Sequence, residues 1–445
     1  MSRFDLERLS KDELIELVLR LQRPTKTSRT SSKPPSTDRK ERREKAKPGG
    51  AKPGHKGHSR RLSEDVDRIV DHHPDECPCC RMPLSSDLPA EVVSEHDKVE
   101  LPVIKPFVER HRRLTVRCPS CGAMVVAPAP AAAKGTPFGP RLHAVATYFK
   151  TFQALSYERL QGAFDHLFGL TISQGGACKR LRSAKLSGVA GGGGLMNMLR
   201  RAQGTFVAKR DHAVAILRQA KVVASDKTGV RIEGSNAFHW VFRCNEAVVH
   251  QASPIRGAVV IRDMMDGHRP AVWLSDRYSA QQGHAGAQQT CLAHLARDVA
   301  YADQAGEDFL PMRLKLWLQG AFTLAARIEM LAPATITARR RALERRLTAI
   351  LETPTSCDLA RDLQNRFRRA RDQLLTFAKW PGLVDPSNNG CERALRPSVV
   401  QRKVTNGYRA MWAAAGEADI RTVVDTARIR PGTNAFEISL QTVSA

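Results

Sequence analysis

Three carboxylates follow apolar segments that lie far apart in the chain. Asp226 follows the run VVAS, Asp276 follows AVWLS, and Glu392 lies in SNNGCERALRP, where a helix is expected to begin. A strand that ends at an acidic residue can aim its carboxylate at a site. Three such groups can hold two divalent cations about 4 Å apart for in-line phosphoryl transfer. Each acidic residue taken alone is more often a turn residue or a helix cap.

A second constellation consists of four cysteines in two C-x-x-C pairs. The pairs are Cys77 with Cys80, and Cys118 with Cys121. Two such pairs predict one tetrahedral zinc site with four thiolate ligands, which is closed to catalysis and stabilises a small domain. Cys79 lies between two ligands and is expected to point away. Reduced cysteines without metal are the other interpretation, and three histidines could replace a thiolate: His72, His73 and His111.

The acidic residues need a scaffold, and the apolar pattern around them predicts one. β-branched and aromatic residues alternate over 221–253, which predicts consecutive strands, and the apolar run 271–274 predicts another. From 289 to 379 the apolar residues recur at helical spacing. Strands followed by a long helical block predict a mixed α/β core with a helical insertion at about 290–385.

The N-terminal region changes character abruptly at Pro24. Residues 4–22 predict an amphipathic helix, either the seed of a coiled coil or a short surface helix. From Arg23 to Arg61 lysine and arginine then dominate, and only Asp38, Glu41 and Glu44 oppose them. This composition predicts a disordered segment, either a solvated linker or an arm that follows the DNA backbone.

Short strands and then helices are predicted between the basic segment and the core. The β-like runs are 92–93, 103–107, 114–116 and 124–126. From residue 140 the pattern becomes helical, and a helix, a glycine-containing turn and a second helix capped by Ser173 follow. This is either a helix-turn-helix whose second helix enters a major groove or a plain helical hairpin. The basic residues of that second helix are Lys179, Arg180 and Arg182.

Composition and charge indicate which classes of protein the chain can belong to. The chain has 445 residues and a formal net charge of +25, which favours a polyanionic partner, nucleic acid first. No apolar run reaches the roughly 18 residues of a spanning helix, and the N-terminus has no secretory pattern. Ten cysteines are too few for a disulfide scaffold in a chain of this length. We therefore expect a cytoplasmic protein.

Five blocks of sequence, in order along the chain, resemble the IS66 family of bacterial insertion-sequence transposases. They are KPGGAKPGHKGH, the paired C-x-x-C motifs, VVASDKTGVRI with FHWVF, VWLSDRYSAQQGH followed by QQTCLAHLARDV, and NNGCERALRPSVVQRKVTNGYR. The resemblance runs from about residue 45 to 430, and the block at 387–409 is particularly specific.

The resemblance implies a DDE recombinase with an RNase H-like core that binds two Mg²⁺ or Mn²⁺ ions. Asp226, Asp276 and Glu392 then correspond to the family's catalytic, metal-binding carboxylates. The implied chemistry is hydrolysis and transesterification of phosphodiesters without a covalent protein intermediate. Cys291 and His294 match a C-x-x-H pattern found after the second aspartate in several DDE groups, with either a supporting or a packing role. The basic residues beyond Glu392 are expected to contact phosphates: Arg393, Arg396, Arg402, Lys403 and Arg409.

The expected organisation is that of a multidomain α/β and α protein. The predicted segments are an amphipathic helix (1–23), a basic linker (24–62), a zinc module (63–128), a helical region that contains the candidate helix-turn-helix (129–195), the catalytic domain (196–430) and a C-terminal tail (431–445). The resemblance implies that the partners are double-stranded DNA, both the terminal inverted repeats and the target, with a homo-oligomer and accessory proteins from the same element as further candidates. It also implies association with the bacterial nucleoid.

Two departures and two alternatives accompany this interpretation. Lys227 stands where relatives usually carry an acidic residue, and the tail does not follow the family ending. One alternative is a catalytically silent or repurposed zinc-containing DNA-binding protein derived from a transposase. The other is an RNA-processing nuclease with the same metal chemistry.

Overall fold

The computed structural model describes residues 10–27, 29–31, 55, 60–129, 136–175 and 194–445. The chain divides into two units, one formed by residues 1–40 and 108–445 and the other by residues 41–107. Each unit is described by itself. The predicted groove helix with Lys179, Arg180 and Arg182, and most of the basic segment, lie outside the described residues.

The described part of the smaller unit contains turns and an isolated bridge between Glu76 and Pro83. The strands expected at 92–93 and 103–107 are absent from these described residues, so that prediction is wrong. Val93 is 97% exposed and Phe107 is 90% exposed. Alternation of apolar residues produces a strand only where a neighbouring backbone and a buried face are present, and these side chains have no such face.

The larger unit begins with helix α1 (Lys11–Gln22), capped by Ser10, whose side chain accepts the backbone N–H of Glu13. This helix confirms part of the predicted amphipathic segment, and Pro24 follows its end. The hairpin of β1 (Thr115–Arg117) and β2 (Met124–Val126) comes next, close to two predicted β-like runs. Helices α2 (Pro140–Thr151), α3 (Tyr157–Phe168) and α4 (Leu195–Leu217) lead to the sheet.

Five strands form a mixed sheet in the region predicted to contain consecutive strands. They are β3 (Val222–Ile232), β4 (Ser235–Arg243), β5 (Val248–Ser253), β6 (Val272–Ser275) and β7 (Ala287–Thr290). Their spatial order is β5-β4-β3-β6-β7. The first three strands are antiparallel, whereas β6 lies parallel to β3 and β7 lies parallel to β6.

Helices cover both faces of the sheet. On one face α4 and α5 (Ala258–Met265) pack on a core that includes Trp240 and Trp273, both fully buried. On the other face lie α10 (Asn389–Thr405) and α11 (Met411–Ala427). The alternation of side chains along β3 therefore sends odd-numbered residues such as Val223 to the first face and even-numbered residues to the second.

The block between β7 and α10 is helical, as the sequence predicts, and has its own core. It contains α6 (Leu292–Ala305), α7 (Leu310–Ala326), α8 (Pro333–Leu351) and α9 (Asp358–Arg369). Trp317 and Phe367 meet edge to face at its centre, with ring centroids 5.9 Å apart. The block packs on the starts of β6 and β7, at Val272 and Ala287.

The C-terminal tail is an ordered part of the larger unit. Helix α12 (Ala435–Ser444) begins at Asn434, whose side chain accepts the backbone N–H of Phe436. Ile438 packs against a cluster that joins Phe206 of α4 to Val424 of α11. The tail thus closes the helical layer beside the sheet. Among the helices that the structure describes, none is long and apolar enough to cross a membrane.

Candidate functional site

The parallel pairing of β3 with β6 places the two aspartates at the same level. Val222 pairs with Val272, and Ala224 pairs with Leu274. Asp276 follows the last residue of β6. If the same register is continued past the end of β6, Asp226 of β3 lies opposite Asp276. Two positions that are far apart in sequence therefore lie side by side at one edge of the site.

Glu392 reaches this position through the start of α10. The side-chain amide of Asn388 donates to the backbone carbonyl of Ser225 at 2.7 Å. The backbone N–H of Glu392 in turn donates to the Asn388 carbonyl at 3.1 Å. These bonds hold the first turn of α10 against β3, next to Asp226 and on the face that α10 covers. Glu392 lies in this first turn, as the sequence predicts.

The three predicted carboxylates interact electrostatically. Burial, followed by the negative charges of Asp276 and Glu392, raises the pKa of Asp226 to about 7. The backbone N–H of Lys227 donates to Asp226 Oδ1 at 2.8 Å and opposes this rise. Two negative groups near a buried carboxylate disfavour its ionised form. The acidic trio is therefore a self-repelling cluster in the protein without a cation.

The ammonium group of Lys227 partly neutralises the trio on the side of Asp276. Lys227 Nζ lies 3.8 Å from Asp276 Oδ2 and 3.8 Å from the centroid of the Tyr278 ring. Burial lowers the pKa of Lys227, whereas Asp276 and Asp226 raise it. Asp276 Oδ1 accepts the backbone N–H of Tyr278 at 2.9 Å. Asp276 is thus fixed between a backbone donor and a cation.

Helix α6 adds a second group of side chains around Glu392. His294 Nε2 lies 3.7 Å from Glu392 Oε1, and Arg297 donates to Glu392 Oε2 at 3.3 Å. One ligand atom from each of Cys291, His294 and Glu392 lies within 4.8 Å of the others. Glu392 Oε1 is buried and accepts no hydrogen bond from the described residues. The pKa of His294 is lowered by burial, although Glu392 opposes the shift.

A buried polar hub beneath the carboxylates joins three segments of the chain. The Ser225 hydroxyl accepts Trp273 Nε1 at 3.0 Å and Gln281 Nε2 at 2.8 Å. The Ser225 carbonyl accepts Gln281 Nε2 at 3.0 Å in addition to Asn388. The hub locks β3, the loop after β6 and the start of α10 together. Gln281 Oε1 and Asn388 Oδ1 are buried there with no donor among the residues that the structure describes.

Residues that the sequence did not single out complete the site: Asn388, Gln281 and Arg297. Asn388 and Gln281 stand within the sequence blocks that also contain Glu392 and Asp276. Their position inside those blocks is the one signal that could have revealed them. Arg297 follows His294 by three residues, so both lie on one face of α6. Only the packing of α6 against α10 shows that this face meets Glu392.

The basic residues predicted to contact phosphates divide into two groups. Four of them are exposed on or after α10: Arg393, Arg396, Lys403 and Arg409. Arg402 is half-buried and donates to the Thr228 hydroxyl at 2.9 Å and to the Gly229 carbonyl. Arg402 therefore also ties α10 to β3.

Each C-x-x-C pair forms the same local turn in its own unit. The Cys77 N–H donates to the Met82 carbonyl at 2.9 Å, and the Cys118 N–H donates to the Ala123 carbonyl at 2.7 Å. Arg81 and Gly122 occupy equivalent positions with φ of 58° and 76°. In both turns backbone N–H groups, those of Cys80 and Cys121 first, lower the pKa of the leading thiol. Each turn is shaped to present a pair of thiolates.

These features define an α/β protein with an acidic centre on a mixed sheet and two similar cysteine turns. Residues 191–416, just over half of the chain, match the family model described as transposase IS66 family. Residues 74–122 match the model described as the zinc-finger binding domain of transposase IS66. The chain therefore belongs to the IS66 family of transposases. A search of curated proteins finds no match to the chain.

Proposed function

We propose that this transposase cuts and joins DNA at the ends of its element, with Asp226, Asp276 and Glu392 as catalytic residues. The observation that carries the proposal is the convergence of these carboxylates from β3, the end of β6 and the start of α10. They come from distant parts of the sequence, yet each alters the electrostatics of the same buried site. Acidic residues that only form turns or cap helices would have no reason to lie near one another.

The donor chemistry of the three carboxylates suits divalent cations. Among the described residues, the group whose ligand atoms lie within 4.8 Å of one another is Cys291, His294 and Glu392, so cation binding by the trio requires Asp226 and Asp276 to approach Glu392. Three carboxylates provide the oxygen ligands that Mg²⁺ and Mn²⁺ prefer. Glu392 Oε1 is buried without a hydrogen bond from the described residues, which leaves it available as a ligand. Bound cations would activate a hydroxyl group and stabilise the leaving oxygen of a phosphodiester. The protein itself orients the carboxylates, since the hub around Ser225 and the donors to Asp276 hold them in place.

The sheet supports an RNase H-like core for the proposed catalytic domain. Its order, β5-β4-β3-β6-β7, has three antiparallel strands followed by two parallel ones, with helices on both faces. The first acidic residue lies on the central strand, and the second follows its parallel neighbour. The helical block between β7 and α10 then corresponds to the insertion of larger DDE transposases. We place the catalytic domain at 196–430, with this insertion at about 290–385.

DNA binding is supported by charge. The chain carries a formal net charge of +25, and four exposed basic residues lie on or after the helix that carries Glu392. Arginine and lysine contacts to phosphates supply affinity that is independent of sequence and sensitive to salt. We propose that these residues hold the duplex while the carboxylates act on one phosphodiester. Terminal repeats and target DNA are the proposed partners.

A cleavage assay tests the proposal. The protein is incubated with Mg²⁺ or Mn²⁺ and a labelled duplex that carries the terminal sequences of its own element. We expect wild type to cleave and join the ends, and Asp226→Asn to lose about 100-fold or more of the rate. Asp263→Asn is the matched control, because Asp263 is exposed on α5 and the chemical change is the same.

Other outcomes of this assay decide between the alternatives. If both wild type and Asp226→Asn bind the ends and neither cleaves, the chain is a catalytically silent DNA-binding protein. Faster cleavage of RNA hybrids than of terminal duplex DNA would instead favour the RNA-processing nuclease. Equal cleavage by wild type and Asp226→Asn would reject Asp226 as a catalytic residue.

We propose that one structural zinc ion binds the thiolates of the two C-x-x-C pairs. The match to the family's zinc-finger model spans both pairs, and the leading thiol of each pair has a lowered pKa. Thiolates rather than thiols bind zinc, and four of them close the site to substrate. The proposed role is therefore to stabilise the fold around the pairs.

Elemental analysis checks the zinc proposal. We expect one zinc per chain in wild type, and loss of most of it in Cys80→Ser and in Cys121→Ser. Cys79→Ser is the control within the same motif and should keep its zinc, because Cys79 is not a proposed ligand. A wild-type protein without zinc, or full zinc content in both ligand variants, would contradict the proposal.

A further inference from the structure

A cleft of about 620 Å³ opens beside the hairpin of β3 and β4, and we call it the hairpin cleft. Its walls come from β3, β4, the loop before α5 and the end of α10. The side chains that matter for its chemistry are Arg231, Asn236, Phe238, Arg256, Arg402 and Asn406. Of these residues, only Arg402 has a role predicted from the sequence, a contact with phosphate.

The lining of the hairpin cleft is suited to a polyanion. Three guanidinium groups line it, and no carboxylate does so among the described residues. Arg231 donates to the Gly234 carbonyl, and Arg402 donates to the Thr228 hydroxyl and the Gly229 carbonyl. Both arginines are therefore held in place by neutral partners, which do not offset their positive charge. A guanidinium that is pre-positioned in this way loses little entropy when it contacts a phosphate.

Side-chain contacts connect the hairpin cleft to the acidic centre. Arg256 Cζ lies 5.8 Å from the Phe238 ring centroid inside the cleft and 5.5 Å from the Tyr278 ring centroid. The Tyr278 ring also contacts Lys227, whose ammonium lies 3.8 Å from Asp276. A line of basic and aromatic groups thus leads from Asp276 into the cleft.

The distance between Asp226 and the hairpin cleft suits a nucleic-acid strand. Gly229 lines the cleft three residues after Asp226 on β3, or about 10 Å along the strand. That length corresponds to about three nucleotides at the B-form rise of roughly 3.4 Å. Basic groups interleaved with aromatic rings are the pattern by which proteins hold a single strand by its phosphates and bases.

We propose that the hairpin cleft binds the DNA strand next to the reacting phosphodiester, with its arginines on the phosphates and Phe238 against a base or sugar. The inference rests on the proposed function, since it takes DNA as the substrate. It adds a strand path that leaves the acidic centre along β3, on the side opposite the helical insertion. The exposed residues of α10 would then contact the duplex outside this path.

Fluorescence anisotropy with charge-reversal variants tests the inference. The probe is a labelled DNA duplex with a single-stranded 3′ extension, titrated at several salt concentrations. Arg256→Glu should weaken binding by about 10-fold and lower the salt slope by roughly one or more. Asn236→Glu, which places a carboxylate on the β4 wall, should weaken binding in the same direction. Both positions are exposed, and a thermal unfolding scan confirms that each variant is folded.

Arg345→Glu is the matched control for Arg256→Glu, because it makes the same charge reversal at an exposed position of α8 outside the cleft, and it changes the net charge more than Asn236→Glu does. We expect this control to bind close to wild type. The inference is overturned if Arg256→Glu and Asn236→Glu both bind as tightly as the control while wild type binds and cleaves DNA. Absence of DNA binding by wild type would instead contradict the proposed function itself.

Discussion

Adjacent residues of β3 act on opposite sides of the sheet. Asp226 faces α10 with the other even-numbered residues, whereas Lys227 lies on the side of Trp240, 5.6 Å from its ring centroid. The Lys227 ammonium nevertheless reaches Asp276, because Asp276 lies just beyond the end of β6 and is no longer part of the strand. Lys227 thus places a positive charge beside the site that is proposed to bind divalent cations.

We predict that Lys227→Met increases the affinity of the protein for Mn²⁺ by roughly 3- to 10-fold, because the ammonium repels a cation at the site and occupies Asp276. Isothermal titration calorimetry without DNA measures this affinity. Lys221→Met is the control, since Lys221 is exposed just before β3.

Unchanged or weaker Mn²⁺ binding by Lys227→Met would show that the lysine supports the site instead of competing with the cation. The Lys221→Met control should match wild type in either case.

The end of α10 depends on a glycine that no other residue can replace without strain. Asn406 and Gly407 both have positive φ, and a Cβ at Gly407 would lie 2.1 Å from the Arg231 carbonyl oxygen. This close approach lets the Tyr408 N–H donate to the Arg231 carbonyl at 2.8 Å. The Tyr408 carbonyl then accepts the Glu233 N–H at 3.0 Å. The chain after α10 thereby forms an isolated parallel bridge with the end of β3 at Ile232.

Gly407→Ala should lower the free energy of unfolding by about 2–4 kcal/mol, because a methyl group meets backbone that cannot move without breaking this pairing. Urea denaturation measures the change. Gly204→Ala is the matched control: Gly204 lies inside α4 with open space around it. That control should gain up to about 1 kcal/mol from helix propensity.

If Gly407→Ala is as stable as wild type, the pairing between Tyr408 and β3 does not contribute to the stability of the fold.

Buried polar networks join the sheet to the C-terminal helices of the larger unit. His239 Nε2 lies 3.0 Å from His250 Nδ1, and His250 Nε2 lies 3.0 Å from Asp425 Oδ2. Nearby, Arg421 of α11 donates to Glu417 at 2.9 Å and to the carbonyl of Thr151 in α2 at 2.7 Å. Arg421 Nη1 is buried without a partner among the described residues. The buried hydrogen bonds that are made specify how β4, β5 and the helices fit together.

The same network makes stability depend on pH. Burial, followed by the charges of His250 and Arg421, lowers the pKa of His239 well below its ordinary value. Below about pH 6.5 the unfolded chain therefore binds a proton that the folded state does not. The free energy of unfolding should fall by about 1.4 kcal/mol per pH unit for this proton as the pH decreases. The groups that face His239 are His250 of β5, Ser398 of α10 and Arg421 of α11, and Asp425 contacts His250 on its far side.

Urea denaturation between about pH 8 and about pH 5, a range that brackets the pKa of an unperturbed histidine, measures this dependence. His239→Gln should flatten the slope, whereas His212→Gln, an exposed control on α4, should leave it as in wild type. An equal slope in wild type and His239→Gln would contradict the assignment of this proton to His239.

Much of the candidate site is readable from local sequence. Asp226 and Asp276 stand out because each follows an apolar run, and Glu392 stands out because its segment begins a helix and resembles a specific family block. These features can be predicted because the alternation of side chains in a strand and the start of a helix depend mainly on residues that are neighbours in the chain. The runs at 92–93 and 103–107 show the limit of this reasoning, since they have the same local pattern and form no strand.

The sequence by itself determined the residue types: three carboxylates, two cysteine pairs, the alternation of the core strands and the helical spacing of the block that follows. Only the tertiary structure decided the parallel register between β3 and β6, the bond from Asn388 to Ser225 and the contacts of Lys227 and Arg297 with the acidic centre. The physical reason is that register and side-chain pairing depend on how elements distant in the chain pack together. No local propensity encodes that packing.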